Sequence, residues 1–218
     1  YRKHRQLLSC FKSGDSACKP SYTVGTTSIL KEKLMVFVRK SIVVLLAIVA
    51  VALLGGFVFP SQVHVERQVL MDASPEKIFK EVGDLSQWGR WSPWANIDPD
   101  ADFEVDGKGV GQIMTWASNN PEMGSGSQQV TELDSPNRVK THLDFGEMGV
   151  ADATFMITPA DNENRGKTLV TWSLDTDVRE GVPLLNQPLS TYFGFFMDSM
   201  IGDTYEEGLA NLKSVVEG

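Results

Sequence analysis

TYFGFFMDSMIGDTYEEGLANLKSVVEG, residues 191–218, closes the chain and sets what the rest of it must cover. Ile201, Tyr205, Leu209, Leu212 and Val216 step by four, four, three and four, a single apolar stripe along a helix. Met197 and Met200 extend the stripe backward, and Phe195 and Phe196 precede it. Gly194, Gly202 and Gly208 each weaken a helix by about 1 kcal/mol relative to Ala, which predicts a kink or break near Gly202. A helix with one apolar face needs a second layer to bury it.

That layer lies upstream. Gln62–Met71 alternates through Val63, Val65, Arg67, Val69 and Met71, as a strand does. Ser74-Pro75 opens a short helix, with Ser74 as N-cap, Pro75 at its first position, and Ile78, Phe79 and Val82 on one face; Gly83 ends it. The aromatic loop DLSQWGRWSPW follows at 84–94. Strands are expected at 103–105, 110–117, 126–133, 138–145, 151–159 and 168–177, with turn residues between them and no helix intervening. The expected fold class is α+β, an antiparallel sheet curved around the last helix with a cavity between them.

Ahead of this domain stands IVVLLAIVAVALLGGFVF, residues 42–59, without a charge. A helix of that length reaches roughly 27 Å, close to the hydrocarbon thickness of a bilayer. It can be read as a membrane anchor, a cleaved signal peptide or a buried core helix. The run has no polar face, exceeds the usual signal-peptide core and ends without a small-x-small cleavage site, so the anchor is preferred. The expected organisation is a disordered basic tail at 1–34, a single transmembrane signal anchor at 35–60, and a ligand-binding domain at 61–218. Met35 followed by VFVRKS also reads as a start, which would make residues 1–34 an upstream translation artefact.

Charge divides the chain the same way. Residues 1–40 carry nine Lys/Arg against two acidic residues; the remaining eleven Lys/Arg face twenty-six Asp/Glu, and the net charge is −8. The basic flank predicts a cytoplasmic N-terminus and a periplasmic or extracellular C-terminal domain. So acidic a domain does not suit nucleic acid, since phosphate affinity comes from Lys and Arg. Cys10 and Cys18 both lie in the tail and lack zinc-ligand spacing. No cofactor or metal is implied, and the oligomeric state is not legible.

Several strings resemble the START-like, or SRPBCC, superfamily, in its polyketide cyclase/dehydrase branch. They are ASPEKIFKEVGDLSQWGRWSPW (73–94), GVGQIMTWASN (109–119), GSGSQQVTELDSPNRVKTHLDF (124–145), TLVTWSLD (168–175) and DTYEEGLANLKSVVE (203–217). The resemblance spans about 65–217 and implies the helix-grip fold, with an enclosed apolar cavity for lipids or other hydrophobic molecules. Cyclase chemistry belongs to a minority of that branch.

The candidate ligand-binding residues are Arg67, Trp91, Trp94, Met114, Trp116, Phe145, Phe155, Trp172, Phe196 and Met200. Trp88, Trp91 and Trp94 would form either a cavity rim or a loop pinned to the sheet by buried indoles. The Met and aromatic residues serve equally as core; their excess over Leu and Ile suits a deformable cavity. Arg67 shares the phase of Val65 and Val69, an inward charge able to hold a carboxylate or polarise a carbonyl. His142 alternates with Lys140 and Asp144 and is expected to face solvent. No catalytic constellation is visible: no GxSxG, HExxH, Walker or GxGxxG pattern occurs. The leading expectation is a membrane-tethered binder of a hydrophobic small molecule or lipid. The alternatives are a cyclase- or dehydratase-like enzyme, or a non-catalytic envelope protein-interaction module.

Overall fold

The computed structural model describes residues 25–121, 123–161 and 164–218, and the chain divides after Val51 into two compact units. Helix α1 runs Gly25–Val58, and Leu30–Val58 is long and apolar enough to cross a membrane. The expected disordered tail therefore needs correcting over residues 25–34, which are helical; residues 1–24 lie outside the described residues. Propagating an existing helix through ILKEKL costs no new nucleation, and these are good helix formers.

The second unit carries the sheet. Seven strands, β1 (Gln62–Met71), β2 (Asp102–Asp106), β3 (Ile113–Ala117), β4 (Ser125–Asp134), β5 (Arg138–Asp144), β6 (Val150–Pro159) and β7 (Thr168–Asp177), form one antiparallel sheet ordered β1-β7-β6-β5-β4-β3-β2. Helix α2 (Pro75–Val82) is capped as its sequence predicts, Ser74 accepting from the Lys77 amide. Strand β3 starts three residues later than expected. Gly109 and Gly111 take positive φ (68° and 92°), which keeps Val110 in a turn.

Helix α3 (Gln187–Glu217) closes the curved sheet, and this is the helix-grip fold. Val65, Val139, Phe155, Ile157, Val170 and Trp172 point from the sheet toward Tyr205, Leu209, Leu212 and Val216, all buried. Full burial of each such side chain contributes about 1.5–3 kcal/mol.

Of the expected kink or break near Gly202, the break is absent, because α3 is continuous. Its glycines mark close approach. A Cβ at Gly202 would stand 1.9 Å from the Arg67 guanidinium, and one at Gly208 would stand 2.8 Å from the Trp172 ring. Removing those side chains lets the helix lie directly on β1 and β7, and packing outweighs the propensity lost.

Candidate functional site: an apolar cavity under the terminal helix

The aromatic loop folds as two 3₁₀ turns, Leu85–Arg90 and Pro93–Asn96. A buried Gln112 holds its start: Oε1 accepts from the Leu85 amide at 2.9 Å, and Nε2 donates to Asp84 at 2.8 Å. Trp88 donates its indole N–H to the Val82 carbonyl at 3.0 Å, and Trp91 packs edge-on against Phe155 and Trp172. Trp88 and Trp91 are buried at 3% and 2% exposure, so two of the three indoles pin the loop to the sheet. Trp94 turns toward the cavity, its ring edge-on to Trp172 at 5.7 Å.

Between this loop, the sheet and α3 lies a cavity of about 210 Å³. Its floor is an aromatic stack, Trp172 lying parallel on Tyr205 at 3.8 Å; Phe155, outside the lining, stacks on Trp172 at 4.7 Å. Trp116, Met114 and Gln128 close one side, and Phe145, Met148 and Met123 come from the loops at one end. Gly126 allows this, since a Cβ there would meet the Trp116 ring at 2.5 Å.

Three polar side chains reach an otherwise apolar lining. Gln128 is 3% exposed and donates Nε2 to Thr141 at 2.9 Å. Ser92 is buried beside the indoles. Tyr205 is 1% exposed, and burial pushes its phenol well above the ordinary tyrosine pKa, with Asp175 adding to the shift. Among the described residues no hydrogen bond stabilises that hydroxyl.

Of the candidates read from the sequence, Trp94, Met114, Trp116, Phe145 and Trp172 line this cavity together. The other five stand elsewhere. Trp91 and Phe155 are core, at 2% and 1% exposure. Arg67 faces α3, as its phase implies, but its Nε donates to Glu206 at 2.8 Å and Nη1 to Asp198 at 3.1 Å, outside the cavity lining. Phe196 and Met200 are 64% and 54% exposed. Met200 lies about 100° round the helix from Ile201, so it leaves the stripe that Met197 extends.

Sequence reasoning missed Gln128 and Tyr205 as lining residues. Tyr205 was legible only as one position of an apolar stripe. Gln128 carried a signal, being a polar residue in phase with Val130 on the inner face of β4.

A larger depression, about 530 Å³, lies on the outer sheet face. There His64, Asp175, Asp152 and His142 stand opposite one another across β1, β7, β6 and β5. His64 pairs with Asp175 at 2.7 Å, and Asp152 with His142 at 2.8 Å and Lys140 at 2.9 Å. These groups satisfy each other in water, so the smaller apolar cavity is the stronger ligand site despite its volume. Among the described residues no three His, Cys, Asp or Glu are grouped to hold a metal.

The family described as polyketide cyclase/dehydrase and lipid transport matches residues 62–217, the whole domain. The chain belongs to that family. Among solved structures, a norcoclaurine synthase point mutant from Thalictrum flavum, in complex with a transition-state analogue, is 15% identical. It covers 71% of this chain and 94% of its own, with a TM-score of 0.51. The Aha1 dimer from Colwellia psychrerythraea is 19% identical over 71% of this chain and 96% of its own, at 0.46. At such identities the likeness to solved structures is one of fold. No curated protein matches the chain. As a member of the polyketide cyclase/dehydrase and lipid transport family, it carries a ligand-binding type of domain.

Proposed function

We propose that this protein is a membrane-tethered binder of a hydrophobic small molecule or lipid, held in the cavity between the sheet and α3. The observation that carries the reading is the cavity itself: about 210 Å³, walled by Trp, Phe, Met and Leu, with polar groups at only a few points. That space exceeds the roughly 150 Å³ engineered cavity that takes up benzene and falls below the ~300–1,000 Å³ of sites for drug-sized ligands. A ring or the end of one acyl chain fits it, and Met114, Met123 and Met148 can rearrange for more.

The polar lining favours binding over catalysis. It consists of two hydroxyls and an amide, which orient a ligand but do not take protons at neutral pH. Tyr205 would be the base, and burial drives its pKa the wrong way for that task.

The tether rests on Leu30–Val58 and on how the last turns of α1 join the second unit. Arg179 donates Nη2 to the Gly56 and Phe59 carbonyls at 2.8 and 2.6 Å, capping the helix end, and Tyr192 donates to the Ala52 carbonyl at 2.6 Å. Gly55 and Gly56 permit this, because a Cβ on either would collide with Tyr192 or Pro188. Ala52–Phe59 belongs to the second unit, which supports an anchor over a leader to be removed.

Native mass spectrometry of the full chain tests the reading. A retained lipid or other apolar adduct is expected; a clean apo mass, with no uptake of a fluorescent fatty acid, would refute it.

A further inference from the structure

Gly181–Met197, seventeen residues from the end of β7 into α3, contains no charged side chain in a domain that is otherwise strongly acidic. Six of its large apolar residues point outward. Leu184, Leu185, Leu189, Phe193, Phe195 and Phe196 are 67, 92, 74, 51, 60 and 64% exposed. Leu189, Phe193 and Phe196 step by four and three, so they share one face of the helix start, and Leu185 lies in the turn before it. A continuous apolar face of this kind is uncommon on a soluble surface and calls for an occupant.

Two observations say what the occupant is. The face continues the end of α1: Phe59 packs edge-on against Phe195 and Tyr192, at 5.7 and 6.1 Å, where Arg179 caps that helix. And exposed Phe and Leu side chains beside Tyr192, with Arg179 at the helix junction, suit the boundary between headgroups and acyl chains. We infer that the start of α3 and the preceding Leu184-Leu185 turn lie in the bilayer interface, a second membrane contact beside the anchor. This rests on reading α1 as a span.

The contact has a consequence for the cavity. Strand pairing brings Gln62, Asp177, Val150, Asp144, Ser125 and Asp102 to the same end of the sheet as the helix junction. The cavity residues Phe103 and Met148, 43% and 66% exposed, lie at that end as well. The cavity therefore faces the membrane surface, and an apolar ligand exchanges with lipid without crossing water.

The test uses the full chain in phosphatidylcholine nanodiscs, with Cys10 and Cys18 replaced by Ser. Single cysteines carrying an environment-sensitive fluorophore are placed at Leu185, Leu189 and Phe196. Lys108, in the turn at the other end of the sheet, and Val49, within the span, serve as references. The three patch labels should be blue-shifted, quenched by nitroxide lipids and protected from iodide, whereas Lys108 should be open to iodide. Patch labels as open to iodide as Lys108, with Val49 still quenched by deep nitroxide lipids, would overturn the interface contact alone. Protection from iodide without nitroxide quenching would mean that a protein or a second copy covers the face, and also overturns it. Loss of quenching at Val49 would overturn the span on which it rests.

Discussion

Gly202 and Arg67 show how a single pair of residues sets the distance between helix and sheet. A methyl group at Gly202 has nowhere to go unless the guanidinium leaves Asp198 and Glu206. Gly202→Ala is expected to cost about 1–3 kcal/mol by overpacking, read as a fall in the urea midpoint. Gly89→Ala, where no atom lies within 4 Å of the new Cβ, should stay within about 0.5 kcal/mol. Tyr205 tests the opposite case. Its hydroxyl has no hydrogen-bond partner among the described residues, so Tyr205→Phe should leave stability unchanged or slightly higher. The same variant should bind a ligand with a polar end more weakly, which a titration separates from folding.

Arg179 does at the level of elements what a cap does within one helix. It joins the end of α1, the turn after β7 and, through Thr191 at 3.0 Å, the start of α3. A hydrogen bond to a charged group contributes about 1.5–3 kcal/mol. Arg179→Ala should therefore raise amide hydrogen exchange around Val58–Ser61 by roughly tenfold or more, with the sheet interior unaffected. On the outer face the elements couple through charge. The hydrogen bond to Asp175 raises the His64 pKa above its ordinary value against the opposing effect of burial, and the charges of Asp175 and Glu66 add to it. The charged pair therefore stabilises the fold fully below about pH 6.5 and is lost as pH rises through the raised value. Asp152, His142 and Lys140 face the same row. Because His64 is more than half exposed, the effect should not exceed about 1 kcal/mol. His64→Gln should flatten the stability profile between about pH 6 and 8, measured by thermal melts.

For the whole molecule the deciding quantity is the space left between sheet and helix. Ala153 lies at 3% exposure in the cavity wall. Ala153→Phe projects a ring into that space and should abolish uptake of a fluorescent fatty acid while the protein still folds. It should also abolish the rise in melting temperature that ligand confers on the parent, since binding stabilises by mass action. A variant that retains both would place the ligand elsewhere.

How much of this was legible in the chain follows from the range of each interaction. Strand alternation, the N-cap of α2 and the stripe from Ile201 to Val216 are local periodicities, and the elements form where those residues predict. The uncharged run at 42–59 likewise declared a helix long enough to span a bilayer, although its helical start at Gly25 did not show. The unbroken α3 depended on contacts across the fold, because a glycine that looks like a breaker in isolation is favoured where Arg67 or Trp172 needs its missing side chain. The division of the aromatic residues was equally remote. Trp91 and Trp94 are alike in sequence, yet Trp91, at the end of the first 3₁₀ turn, packs into the core, and Trp94, within the second, faces the cavity. Periodicity is written in neighbouring residues. A cavity is the volume that distant residues fail to fill, and it exists only once the helix has closed on the sheet.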